Sequence, residues 1–85
     1  MTIELFGTAR LRAGLARLEV ASDTLGGAIS ALTRACPSLV GPVIVGGSLH
    51  PAYRLSLNGD RFVTEPETPL VDGDCLLLIS ADAGG

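Results

Sequence analysis

Few side chains in this sequence are equipped for chemistry, and the chain's own end is the group best suited to it. Gly84-Gly85 follow an apolar run, Cys75-Leu76-Leu77-Leu78-Ile79, and a spacer, Ser80-Ala81-Asp82-Ala83. Glycines carry no side chain, so they pass through narrow spaces and reach conformations closed to other residues. Such a tail suits a chain whose working group is its terminal carboxylate. Fully extended, the stretch from Ala81 to Gly85 spans at most about 17 Å, enough to enter a buried site while the folded body stays outside.

The remaining reactive residue types read as structural. Cys36 and Cys75 fall on apolar stretches, where free thiols are commonly buried and inert. His50 stands alone beside Pro51 and has no cluster with which to bind a metal. Gly46-Gly47-Ser48 lacks the lysine and spacing of a phosphate loop. Glu65, Glu67, Asp72 and Asp74 read as solvated turn residues that could also steer a basic partner. There is no lysine; the cations are Arg10, Arg12, Arg17, Arg34, Arg54 and Arg61. Schiff-base chemistry and isopeptide linkage to the chain's own side chains are therefore excluded.

At 85 residues the chain has room for one core, so a single domain over residues 1–85 is expected, with a flexible tail over 80–85. Its net charge of −3 argues against nucleic acid, whose phosphates need a basic face. Two cysteines do not make a disulfide framework. The apolar runs are too short to cross a membrane, and no leader is expected, so the reading is a soluble cytoplasmic protein. The composition is nonetheless apolar, 47% hydrophobic with a mean hydropathy of +0.46. A small domain cannot hide all of this, so an exposed apolar partner surface is expected.

The elements that must position the tail follow from periodicity. Thr2-Ile3-Glu4-Leu5-Phe6 alternates as a strand, Gly7 to Gly14 reads as a turn, and Arg17-Leu18-Glu19-Val20 alternates again. Leu25, Ile29, Leu32 and Cys36 then share one face of a helix. Asp23 or Thr24 caps its start, Gly26-Gly27 weaken it locally, and Pro37 ends it. Residues 37–52 read as a long connection with one helical turn. Arg54-Leu55-Ser56-Leu57, Asn58-Gly59 and Arg61-Phe62-Val63-Thr64 form a hairpin. The last strand, Cys75 to Ile79, is apolar on both faces and belongs in the middle of the sheet. If Leu76 and Leu78 face the helix, Leu77 and Ile79 lie on the open face, with Phe6 and Phe62 nearby. The order predicts an α+β domain whose mixed sheet of about five strands wraps one main helix.

This order resembles the β-grasp, or ubiquitin-like, fold, and the chain is similar to the small sulfur-carrier proteins of the MoaD/ThiS family. The resemblance rests on Leu5-Phe6-Gly7-Thr8-Ala9-Arg10 with Gly14, on Asp23-Thr24-Leu25-Gly26, on Leu57-Asn58-Gly59 with Thr68-Pro69-Leu70-Val71-Asp72-Gly73-Asp74, and on Gly84-Gly85. In one respect the chain departs from many molybdopterin synthase small subunits. Ser80 and Ala81 stand where those have two prolines, and Asp82 where an apolar residue is usual.

The resemblance implies a sulfur carrier. A ubiquitin-activating-type adenylyltransferase would use ATP and Mg to adenylate Gly85, with Gly84 supplying slimness, and sulfur would then convert the carboxyl group to a thiocarboxylate. The carrier itself would hold no cofactor or metal and would not be an enzyme by itself. Phe6, Phe62, Leu77, Ile79, Ala81, Asp82 and Ala83 would meet its partners: the activating enzyme, and a sulfur-accepting synthase or the large molybdopterin synthase subunit. Three alternatives share the same body: the molybdopterin synthase small subunit itself, a ubiquitin-like protein modifier, and a plain β-grasp interaction domain.

Overall fold

In the computed structural model, which describes residues 1–81, the first alternating stretch forms β1, Thr2–Leu5. Ile3 and Leu5 are buried, while Glu4 lies on the other face. Strand β2, Arg17–Glu19, pairs antiparallel with β1, setting Leu18 opposite Ile3. Between them the expected turn is instead a helix, α1, Gly7–Ala13. Only Ala9 of this segment is buried, so no apolar period marks it in the sequence. A helix this short is marginal alone. Tertiary ties hold it: Ser38 Oγ donates to Arg12 O at 2.6 Å, and the Thr8 and Tyr53 hydroxyls meet at 2.6 Å. Gly14 ends it in the left-handed region at φ 78°, donating its N–H to Arg10 O.

The main helix, α2, spans Leu25–Ala35 and buries Leu25, Ala28, Ile29 and Leu32 against the sheet. Its first N–H groups are all satisfied. Leu25 and Gly26 donate to the carbonyls of Thr68 and Pro66, Gly27 to Thr24 Oγ1, and Ala28 to Thr24 O. The 66–70 loop thus lies against the helix start and accounts for Gly26, while Ser22 ahead of the helix accounts for Gly27. A Cβ on Gly26 would sit 3.3 Å from Pro66 Cβ, and one on Gly27 would sit 2.3 Å from Ser22 Oγ. Cys36 closes the helix with its side chain buried, and Pro37–Leu39 turn once as a 3-10 helix.

The connection that follows is more ordered than its sequence indicates. Strands β3, Ile44–Val45, and β4, Ser48–Leu49, make a small separate hairpin. Gly46 and Gly47 both have positive φ at its tip, as a tight two-residue turn requires. Strands this short carry no readable alternation.

Strand β5, Tyr53–Leu57, returns through Asn58-Gly59 to β6, Arg61–Val63, as the sequence leads one to expect. Asn58 and Gly59 take φ values of 58° and 70°. The last strand, β7, Cys75–Ser80, runs parallel to β1 and antiparallel to β5. The sheet order is β2-β1-β7-β5-β6, so β7 is central. Leu76 and Leu78 are fully buried against α2 with Ile3, Leu5, Leu55 and Leu57. A mixed five-stranded sheet around one main helix is the β-grasp architecture.

Candidate functional site

Strand β7 sets the site, because its alternating side chains divide between core and open face and the tail continues from its end. Leu77 and Ile79 point away from α2 and are half-buried. The register places Leu77 between Glu4 on β1 and Ser56 on β5, and Ser56 opposite Phe62 on β6. Ile79 faces Arg54 across β5. Ser56 is nearly covered although it belongs to this outer face, so its neighbours close over it.

Phe6 follows β1 in extended conformation, and alternation carries its side chain to the face of Glu4. Its N–H donates to Leu78 O, fixing it beside the end of β7. Phe6 and Phe62 are 44% and 56% exposed, a large apolar area for a domain this small. The two rings are not neighbours. Phe6 lies on the β1 side of β7, whereas Phe62 lies at the far edge, two strands beyond β7. Leu77 and Ile79 occupy the space between them. The β1–β2 side of the face is polar: Glu4 faces Arg17, and the Thr2 hydroxyl donates to Glu19.

The sheet continues to hold the chain past β7. Ala81 N–H donates to Ala52 O at 2.7 Å, one step beyond the Tyr53–Ser80 pair. Ala81 is thus held beside the start of β5, next to Tyr53, whose hydroxyl meets that of Thr8. Of the expected site residues, Phe6, Phe62, Leu77, Ile79 and Ala81 are placed here; Asp82, Ala83, Gly84 and Gly85 lie outside the described residues.

Arg54 is a site residue that sequence reasoning passed over. Its guanidinium carbon lies 5.3 Å from the centre of the Phe62 ring. The alternation of Arg54-Leu55-Ser56-Leu57 already implied that Arg54 shares a face with Ser56, but only the strand order brings it to Ile79 and Phe62.

Neither thiol is activated. Cys36 is buried, and desolvation pushes its pKa up. Cys75 lies on the open-face side of β7, where partial burial raises its pKa and the neighbouring Glu4 carboxylate raises it further. Its Sγ donates to Glu4 Oε1 at 3.4 Å. Among the described residues no group of His, Cys, Asp and Glu could hold a metal ion, and no helix is long and apolar enough to cross a membrane.

Comparison with known proteins places this geometry. No protein-family model and no curated protein matches the chain. Solved structures do. The chain is 30% identical to SAMP1 from Haloferax volcanii, with a TM-score of 0.79 over 99% of this chain and 97% of that one. It is 26% identical to Mycobacterium tuberculosis CysO, with a TM-score of 0.71 over 94% and 97% of the two chains. A chain of the Amycolatopsis orientalis BexX/CysO complex shares the fold at 23% identity, with a TM-score of 0.79 over 99% and 98%. With the β-grasp sheet, the apolar open face and end-to-end likeness to these proteins, this chain belongs to the MoaD/ThiS-type family of ubiquitin-like sulfur carriers and modifiers.

Proposed function

We propose that the protein carries sulfur on the carboxyl group of Gly85. An activating enzyme of the ubiquitin-activating type docks on the open face around Leu77 and Ile79 and receives the tail. With Mg-ATP it adenylates the Gly85 carboxylate and releases pyrophosphate. Sulfide then attacks the acyl carbon, AMP leaves, and a thiocarboxylate remains. Cys75 is not the sulfur-bearing group of this scheme, since burial and the Glu4 carboxylate push its pKa up.

The observation that carries this reading is the path of β7. The strand lies at the centre of the sheet, presents apolar side chains outward, and is held to the sheet as far as Ala81, four residues before the end of the diglycine in the sequence. The body therefore serves as a rigid handle and the tail as the reacting arm. The Ser80-Ala81-Asp82 spacer and the likeness to CysO favour a carrier for a sulfur-containing metabolite over the molybdopterin synthase small subunit. The crystallised BexX/CysO complex is in keeping with a second protein that engages the carrier body.

A second reading has its own support in the 30% identity to SAMP1, a protein described as a small archaeal modifier. The same adenylate would then be captured by a target lysine, giving an amide. Intact-mass measurement after incubation with an activating enzyme, ATP and sulfide separates the readings. Exchange of one terminal oxygen for sulfur is expected of the carrier. Covalent adducts on other proteins with no thiocarboxylate would favour the modifier, and an unchanged mass with every activating enzyme would refute both.

A further inference from the structure

Strand β6 is an edge of the main sheet, paired with β5 alone. Its outer side has no strand partner among the described residues, so backbone donors and acceptors there are open to pairing. Beside this edge lies a groove of about 460 Å³. Leu25 and Ile29 of α2, Leu49 of β4, and Leu55 and Val63 of the hairpin give it an apolar lining. The groove wraps over the sheet edge, so the outward-facing Phe62 and Arg54 line it too.

Among the described residues, Arg54 is the sole charged one in that lining. Its guanidinium rests over the Phe62 ring and pairs with no described carboxylate. The positive group is thus held in place at the rim of an apolar groove, on a chain whose net charge is −3. On an acidic body, this cation gives the groove a local point of attraction for a carboxylate.

We propose that this groove binds an extended segment of a partner protein that carries an apolar side chain next to a carboxylate. The segment adds to β6 as an outer strand, seats its apolar side chain over Leu25, Ile29 and Val63, and sets its carboxylate on Arg54. The free strand edge favours a peptide over a small apolar acid, because a peptide backbone can pair along β6. One end of the groove reaches Pro51 and Tyr53, on either side of Ala52, whose carbonyl holds Ala81. A protein engaging the chain beyond Ala81 therefore has the groove within reach, although the proposal does not depend on the chemistry at Gly85.

The test is amide NMR on the intact protein with an acetylated Val-Ile-Val-Asp-Ser peptide, its Asp-to-Lys counterpart, and octanoate. The acidic peptide should shift the amides of Phe62, Val63, Thr64, Gly26 and Leu49 and slow hydrogen exchange along β6. Arg54→Glu, or the lysine peptide, should weaken binding by about tenfold or more, as loss of a charged hydrogen bond does. Arg54→Gln supplies a neutral variant, and unchanged shifts in β1 and β2, remote from Arg54, check that either variant is folded. Absence of shifts at millimolar peptide, shifts confined to Leu77 and Ile79, equal binding of the lysine peptide, or binding of octanoate without the peptide would each overturn the proposal.

Discussion

Asn58 and Asp74, sixteen positions apart, lock two turns together: Asn58 Nδ2 donates to Asp74 Oδ1 at 3.1 Å. Asn58 Oδ1 accepts the Cys75 N–H at 2.8 Å, and Asp74 Oδ2 accepts the Val71 N–H at 2.9 Å. The β5–β6 turn is thereby fastened to the start of β7. Asp74 is accordingly more than a solvated turn residue. The Val71 N–H, and then the Asn58 amide, hold its carboxyl below its ordinary value of 3.8. A carboxylate whose pKa is lowered by folding stabilises the fold above the unfolded value, and that stabilisation fades as pH falls through the folded value. Asp74→Asn should lower the melting temperature at neutral pH, and the gap from wild type should narrow below about pH 4. Parallel melting-temperature profiles from pH 2 to 7 would count against this coupling.

Gly27 sits inside α2, where alanine ordinarily stabilises by up to about 1 kcal/mol. Here the sign should reverse, because the added Cβ would meet Ser22 Oγ at 2.3 Å. That hydroxyl is engaged, donating to Thr24 O and accepting the Thr24 N–H, so it cannot move freely. Gly27→Ala should cost about 1–3 kcal/mol, the range for overpacking. Adding Ser22→Ala should recover part of the loss, and urea unfolding of the single and double variants measures both.

Leu77 and Ile79 lie half-buried on the open face. Replacing both with alanine should lower the melting temperature by roughly 5–15 °C while cooperative unfolding is retained. In the proposed activation reaction it should raise KM by about tenfold, as loss of one to two kcal/mol of apolar contact would. Steady-state pyrophosphate release gives KM and kcat separately, and an unchanged KM would move the docking surface elsewhere.

Cys75 and Cys36 both have raised pKa values, which lowers the thiolate fraction at pH 7. Iodoacetamide should therefore label Cys75 more slowly than a free cysteine and reach Cys36 only on unfolding. Glu4→Gln should quicken labelling of Cys75 by removing the carboxylate that holds the proton on sulfur. Mass-resolved labelling time courses read both rates.

Gly85→Ala tests the slimness of the tail. The added methyl would stand beside the reacting carbon, and a misplacement of about 1 Å can cost roughly 100-fold in rate. Adenylate formation should fall by that order while thermal unfolding stays at the wild-type value. Activation at the normal rate would remove the threading argument.

Much of the fold is legible because its main elements have periods that side-chain burial imposes. The two-residue period of β1, the continuous apolar run of β7, the helical spacing of Leu25, Ile29, Leu32 and Cys36, and the Asn58-Gly59 turn all appear in the structure as read. Helix α1 and the β3–β4 hairpin were not legible. The first buries little beyond Ala9, and the second has strands of two residues, so neither leaves a pattern. Both depend on contacts with distant parts of the chain.

The sequence by itself determined the class of fold, the central place of the last strand and the diglycine that follows it. Apolar alternation and glycine content are local properties, so reading them needs no partner. Tertiary structure alone decided which side chains share a surface. Strand order sends Phe6 and Phe62 to opposite sides of Leu77 and Ile79, and it lays Arg54 over Phe62 at the lip of a groove. Strand order follows from how the whole sheet closes around α2, and no local pattern encodes that closure.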